Sequence, residues 1–235
     1  QGALLVASQL VSCAPTYQAK LYAASQAFDE ARHVEAFSRY IQTRSKLMYP
    51  VGTGLKSLLD KILTDERWDL KLIGMQIIIE GLALAAFNTA KAVTPDPVFR
   101  DILHLIIRDE ARHVTFGVNY LEDFIENLTD GEREDRAMFA YEACVISKER
   151  LFPTDVFRKF GWNEDEAREF SNNAGFALEF QRLLFSRVVP NLSRIGLLTD
   201  KVRPLYDKLG VLEFESHTAE DITWAELEKP LDLTA

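Results

Sequence analysis

Asp29-Glu30-Ala31-Arg32-His33-Val34 recurs, residue for residue, as Asp109-Glu110-Ala111-Arg112-His113-Val114. Six identical residues in a row, 80 positions apart, do not recur by accident. Around each copy apolar residues fall at three- and four-residue spacing, which predicts a long amphipathic helix. On an α-helix, positions three apart share a face, one turn apart. Glu30 and His33 therefore point the same way, and so do Glu110 and His113. Each string offers one carboxylate and one imidazole to the interior of a helical bundle. A buried carboxylate is costly without a partner, so two such pairs in a core call for cations between them. The bland alternative is a pair of solvated helix faces.

Between the two copies lies Met75-Gln76-Ile77-Ile78-Ile79-Glu80-Gly81-Leu82-Ala83-Leu84-Ala85-Ala86-Phe87, the most apolar helical stretch of the chain. Glu80 has almost no surface to reach from there. It falls 30 residues before Glu110, about one helix and one turn back. That is the place for a lone bridging carboxylate, although a buried acid capping a neighbouring helix is a rival. Counting 30 back from Glu30 gives position zero, just before Gln1. A matching carboxylate is expected there, unless Gln1 is itself a neutral replacement.

The rest of the chain reads as helical, with no period-two runs of Val, Ile and Thr bounded by turns. The expected helices run from before Gln1 to Ser12, Thr16 to Lys46, Gly54 to Leu63, Glu66 to Val93, and Pro97 to Leu128. Further helices are expected over Glu132 to Leu151, Thr154 to Phe160, Glu164 to Val189, and Lys201 to Leu209. Thr94-Pro95-Asp96-Pro97 is a stop-and-restart signal, and Thr129-Asp130-Gly131 closes the long helix before it. This predicts one all-α domain over 1–235. Its core helices occupy 1–128, with the first helix truncated. Additional packing helices fill 129–212, and 213–235 is an irregular tail.

The 235 residues are 47% hydrophobic and 27% charged, as in an ordinary globular domain. The net charge of −9 argues against nucleic-acid binding, which needs clustered Lys and Arg. Cys13 and Cys144 stand alone, which suits packing thiols in a reducing cytoplasm. Gly2 to Ser12 is apolar enough to resemble a signal peptide, but no basic segment precedes it. No apolar run is read as long and charge-free enough to span a bilayer. His104 and His217 are read as structural and exposed, respectively. Phe28, Phe37, Tyr40, Phe87 and Phe116 are read as mostly core.

One lone Glu on each of two helices, plus Glu-x-x-His on each of two others, resembles the di-iron carboxylate pattern of ferritin-like four-helix bundles. The fuller Asp-Glu-x-Arg-His string, present twice, is similar to that of bacterial multicomponent monooxygenase hydroxylases. It also resembles related di-iron oxygenases and ribonucleotide reductase small subunits. The resemblance covers roughly residues 1–128. It implies a di-metal core with Glu30, His33, Glu80, Glu110 and His113 as ligands and no other catalytic side chain. Oxygen-rich donors with two imidazoles suit two iron ions, with manganese as the other candidate.

Metal-bound histidines usually donate their second N–H to a carboxylate. By the same resemblance, Asp109 is expected to serve His33 and Asp29 to serve His113, with Arg32 and Arg112 pairing with those aspartates. Phe37, Leu84 and Phe87 are the candidate lining of a substrate pocket.

Three departures separate the chain from the named relatives. Phe37 stands where ribonucleotide reductases carry a radical tyrosine. Leu84 stands where the multicomponent hydroxylases carry a threonine. Ile106 stands where arylamine N-oxygenases carry an extra metal histidine. The implied activity is an O₂-activating oxidase or monooxygenase acting on a small organic substrate. It would draw electrons from a donor such as a ferredoxin or reductase, and a homodimer stays open. The alternative is a ferritin-like iron-oxidising protein with no organic substrate.

Overall fold

A computed structural model of the protein describes residues 1–152 and 154–217. Among them there is no strand, and helices α1 to α12 follow one another with one π-helical and one 3₁₀ turn. The elements that matter for the site are α1 (Gly2–Cys13), α2 (Tyr17–Arg44), α3 (Thr53–Thr64), α4 (Trp68–Leu72), a π segment (Ile73–Ile79), α5 (Glu80–Val93) and α6 (Pro97–Glu126).

Local chemistry sets the helix starts. The Thr16 hydroxyl accepts from Ala19 N, and Asp96 Oδ1 accepts from Val98 N and Phe99 N with Pro97 in the first turn of α6. Caps of this kind contribute roughly 1 kcal/mol each. The C-terminal end of α3 is capped by Lys71 of α4, whose buried Nζ donates to the Ile62 and Leu63 carbonyls and to Gln9 Oε1. Those are the last, otherwise unbonded carbonyls of α3.

Helices α1 and α2 form one hairpin, and α4–α5 with α6 form a second. The pair α2 and α6 runs antiparallel: Thr16 meets Tyr120 at one end, and Tyr40 stacks on Phe99 at the other. The pair α2 and α5 runs parallel, since Gln26 meets Glu80 and Phe37 meets Phe87. Helix α3 links the hairpins and packs under α7 (Asp130–Glu149), while α10 (Gly175–Phe185) lies on α5. The core between them is built of Leu, Ile and Val, including Leu10, Leu58, Leu70, Ile77, Leu103 and Val118.

The structure departs from the sequence expectation in several places. Helix α7 starts at Asp130, because Thr129 and Glu132 form a capping box across the stretch read as a terminator. The single helix expected over 164–189 is broken. Ala174 is extended and the poor helix former Gly175 follows it, so α9 (Glu164–Asn173) and α10 are separate. Val189–Arg194 forms a further helix, α11, with Pro190 in its first turn. The tail begins with a 3₁₀ turn, Leu212–Ser216, that buries Phe214; residues 218–235 lie outside the described residues.

Trp68–Val93 is long and apolar enough to cross a membrane by length and composition, which corrects the reading that no run qualifies. Yet 78% of its most apolar window is buried inside the protein, as a central core helix requires. Phe28 is also not core. It is 70% exposed, with the Arg32 guanidinium 5.8 Å from its ring centre.

Candidate metal centre

Both repeat strings fall in mid-helix, Glu30 and His33 on α2 and Glu110 and His113 on α6. The antiparallel pairing of α2 and α6 sets the two copies face to face. Glu80 enters from α5, at the point where the π segment returns to α-helix. π turns are rare and frequently sit at functional sites. The sequence reading treated this helix as a continuous α-helix, because nothing in Ile73-Gly74-Met75-Gln76-Ile77-Ile78-Ile79 announces a wider turn.

The structure gathers Glu30, Glu80, Glu110 and His113, each buried, with one donor atom apiece lying within 4.8 Å of all the others. His113 Nδ1 is 3.3 Å from Glu110 Oε2, 3.7 Å from Glu30 Oε1 and 3.8 Å from Glu80 Oε1. His33 stands beside this group rather than in it. Its Nδ1 is 3.4 Å from Glu110 Oε1 and 3.7 Å from Glu30 Oε2. Glu30 and Glu110 therefore lie between the two imidazoles, while Glu80 lies on the His113 side. Gln1 is exposed at the head of α1.

The outer nitrogens of both imidazoles reach across to the opposite helix. His33 Nε2 lies 3.1 Å from Asp109 Oδ2, and His113 Nε2 lies 3.3 Å from Asp29 Oδ2. An ionised carboxylate only accepts, so each Nε2 carries a hydrogen, and each Nδ1 points at the glutamates, where it would donate its electron pair to a bound metal. Arg32 donates to Asp29 Oδ1 at 2.7 Å and to Asp109 Oδ2 at 2.9 Å. Arg112 donates to Asp109 Oδ1 at 2.6 Å and to Asp29 Oδ2 at 3.3 Å. Burial opposes ionisation of Asp109, but the His33 hydrogen bond and the two guanidinium groups outweigh it and hold the carboxyl below its usual range.

The cluster carries surplus negative charge. Five carboxylates (Asp29, Glu30, Glu80, Asp109 and Glu110) face only two guanidinium groups. Burial, reinforced by Glu110 and Glu30, pushes Glu80 well above the ordinary carboxyl range. Burial also opposes a charged His33. Asp109, Glu110 and Glu30 overcome that, and its pKa rises to about 11. Glu30 Oε1, His33 Nδ1 and Glu80 Oε2 are buried without a hydrogen-bond partner among the described residues. Unpaired buried acceptors of this kind normally cost about 1–3 kcal/mol each. The donor set fits a cation: these three atoms are the ones a metal would satisfy, and a positive ion would invert the electrostatics that raise the pKa of Glu80.

No protein-family model matches the chain, and no curated protein or solved structure is significantly similar to it. The reading of the site accordingly rests on its own geometry.

Two residues at the site went unread in the sequence. Gln26 Nε2 donates to Glu80 Oε1 at 2.7 Å, and Gln76 Nε2 donates to Gln26 Oε1 at 2.9 Å, all three side chains buried. Glu80 thus meets a side-chain amide rather than a helix end. The available signal was spacing: Gln26 stands one turn before Glu30, and Gln76 one turn before Glu80. On the other side of the cluster Leu84 is buried, and the half-buried rings of Phe37 and Phe87 lie 5.8 Å apart. His104 is remote from the donors and accepts from Lys91 Nζ at Nδ1. His217 is exposed. Cys144 is a buried free thiol, pushed up to about 12 by burial, and Cys13 is free and half-buried.

Proposed function

We propose that the chain is a ferritin-like di-iron protein that activates O₂ as an oxidase or monooxygenase on a small apolar substrate. The observation that carries this reading is the burial of three glutamates and a histidine within reach of one point, with inward atoms left unpaired. Like charges are not packed together in a dry core without something positive between them. Oxygen donors with imidazole nitrogens favour iron or manganese over copper or structural zinc. When bound, two redox-active ions supply the O₂ chemistry that amino-acid side chains lack.

The chain's own residues do the rest. Glu30 and Glu110, placed between the imidazoles, would hold the metal together with Glu80, His33 and His113. Asp29 and Asp109 fix the tautomer and direction of His113 and His33. Leu84, Phe37 and Phe87 make the side of the cluster toward the end of α2 apolar, which excludes water and suits a hydrocarbon-like substrate. Electrons come from a separate donor such as a ferredoxin or reductase.

The test is anaerobic loading with Fe(II), metal counting, and O₂ uptake with and without apolar organic compounds. Two irons per chain and substrate-stimulated uptake are expected. Loaded protein that leaves O₂ untouched would overturn the proposal. Uptake that consumes only Fe(II), indifferent to any organic compound, would move the protein to iron handling.

A further inference from the structure

We infer that Gln26 and Gln76 are positioning residues that hold Glu80 as a rigid donor offering one free oxygen, an inference that rests on the metal reading above. With a metal bound, Glu80 is ionised and only accepts, so Gln26 would turn its NH₂ to Glu80 Oε1, as it does here, and its carbonyl toward Gln76. Gln76 then donates to that carbonyl and keeps its own Oε1 buried without a partner. With Oε1 engaged, Glu80 presents Oε2, which has no hydrogen-bond partner among the described residues.

The surroundings are shaped for this arrangement. Gly117 on α6 lies against Gln76, and a Cβ there would come within 2.5 Å of the Gln76 Cβ. The π segment carries Gln76 beside the cluster and ends at Glu80, whose N–H bonds five residues back to the Met75 carbonyl. An apolar core would dispense with two buried amides, each of which costs free energy unless hydrogen-bonded. Nor does the repeat demand them: the position on α6 that matches Gln26 is Ile106, also buried. The amides serve a carboxylate that the arginines Arg32 and Arg112, bonded to Asp29 and Asp109, do not touch. A rigid Glu80 on the His113 side also makes the two metal positions unequal.

The experiment is a Co(II) titration of the full chain, followed by the ion's visible absorption, with metal-free melting as a check on folding. Gln26→Met removes the donor at nearly constant volume, and it should weaken the tighter Co(II) position about 10- to 100-fold. Gln76→Met should give a smaller loss in the same direction. In a Glu80→Gln background, Gln26→Met should have no further effect, because a residue acting through Glu80 cannot act without it. Should Gln26→Met not fold, Gln26→Asn withdraws the amide by one methylene and is read the same way.

Unchanged Co(II) affinity in these variants, or a loss that persists in the Glu80→Gln background, would overturn the inference. A wild-type protein that takes up no Co(II) or Fe(II) would instead remove the metal reading beneath it. Weakened binding in a protein that proves inert to O₂ would leave the relay standing and dispose of the oxidase.

Discussion

The α2–α6 half of the cluster and the α5 half are held by different chemistry. On α2 and α6 each imidazole has an aspartate from the opposite helix, each aspartate touches both arginines, and the pattern repeats with the helices exchanged. On α5 a single carboxylate is held by a neutral amide relay. The arginines are half-exposed, so their charge keeps much of its hydration. Glu80 sits too deep for that. A guanidinium buried beside it would carry a desolvation cost that its attraction to the carboxylate need not repay. Ionic support is used where water can reach, and amide support where it cannot.

Within the α2–α6 half, the His33 side and the His113 side meet on Glu110, which stands close to both inner imidazole nitrogens. Glu110→Ala should therefore give the largest effect of any single change. Affinity for both metal ions should fall by more than the roughly 100-fold that marks the loss of an outer partner. Metal counting by emission spectrometry after gel filtration reads this directly. Retention of one tightly bound ion would show that the two sides are independent.

Next come the aspartates. Asp29→Ala and Asp109→Ala remove equivalent supports, from His113 and from His33. Each should weaken metal binding by about 10- to 100-fold, and the two losses should be alike. A much smaller loss for Asp109→Ala would mean that the His33 position contributes little to holding metal.

This half of the site was legible in the sequence because it is written twice. The crossing of Asp109 to His33 and Asp29 to His113 was implied by the resemblance to di-iron carboxylate bundles, and the antiparallel setting of the two strings provides it. Glu80 was legible for the opposite reason, as one acid in an apolar run. Gln26 and Gln76 were not, because an uncharged amide in an amphipathic helix leaves no pattern until its partners are known. The all-helical fold was legible from periodicity and from Pro95, Pro97 and Asp96. The break at Ala174 had only the weak local signal of Gly175, and the π segment was hidden by the absence of any residue that specifies one.

The halves should also differ in their response to pH. His33 is raised from its ordinary value of 6.5 to about 11 by the carboxylates around it. A raised imidazole stabilises the metal-free fold fully below about pH 6.5, and that contribution drains away as pH climbs toward about 11. Metal binding requires neutral His33 and releases its proton, so affinity should rise across the same window. Metal-free melting temperature should fall from neutral to alkaline pH in the wild type and fall less in His33→Gln. Parallel declines in the two proteins would place the titrating group elsewhere.

The smallest effect is expected at the arginines. Arg32 and Arg112 each touch both aspartates, yet about half of each side chain is exposed. Exposed pairs are screened and contribute about 0–1 kcal/mol. Arg32→Ala should thus change melting by little, and its effect should shrink further as salt is added. The aspartates stay bonded to the imidazoles without it, so metal affinity should fall less than in Asp29→Ala. An Arg32→Ala loss as large as the aspartate loss would show that the guanidinium groups, and not the histidine hydrogen bonds alone, keep those carboxylates in place. The contrast between ionic and amide support would then rest on the arginines rather than on the aspartates.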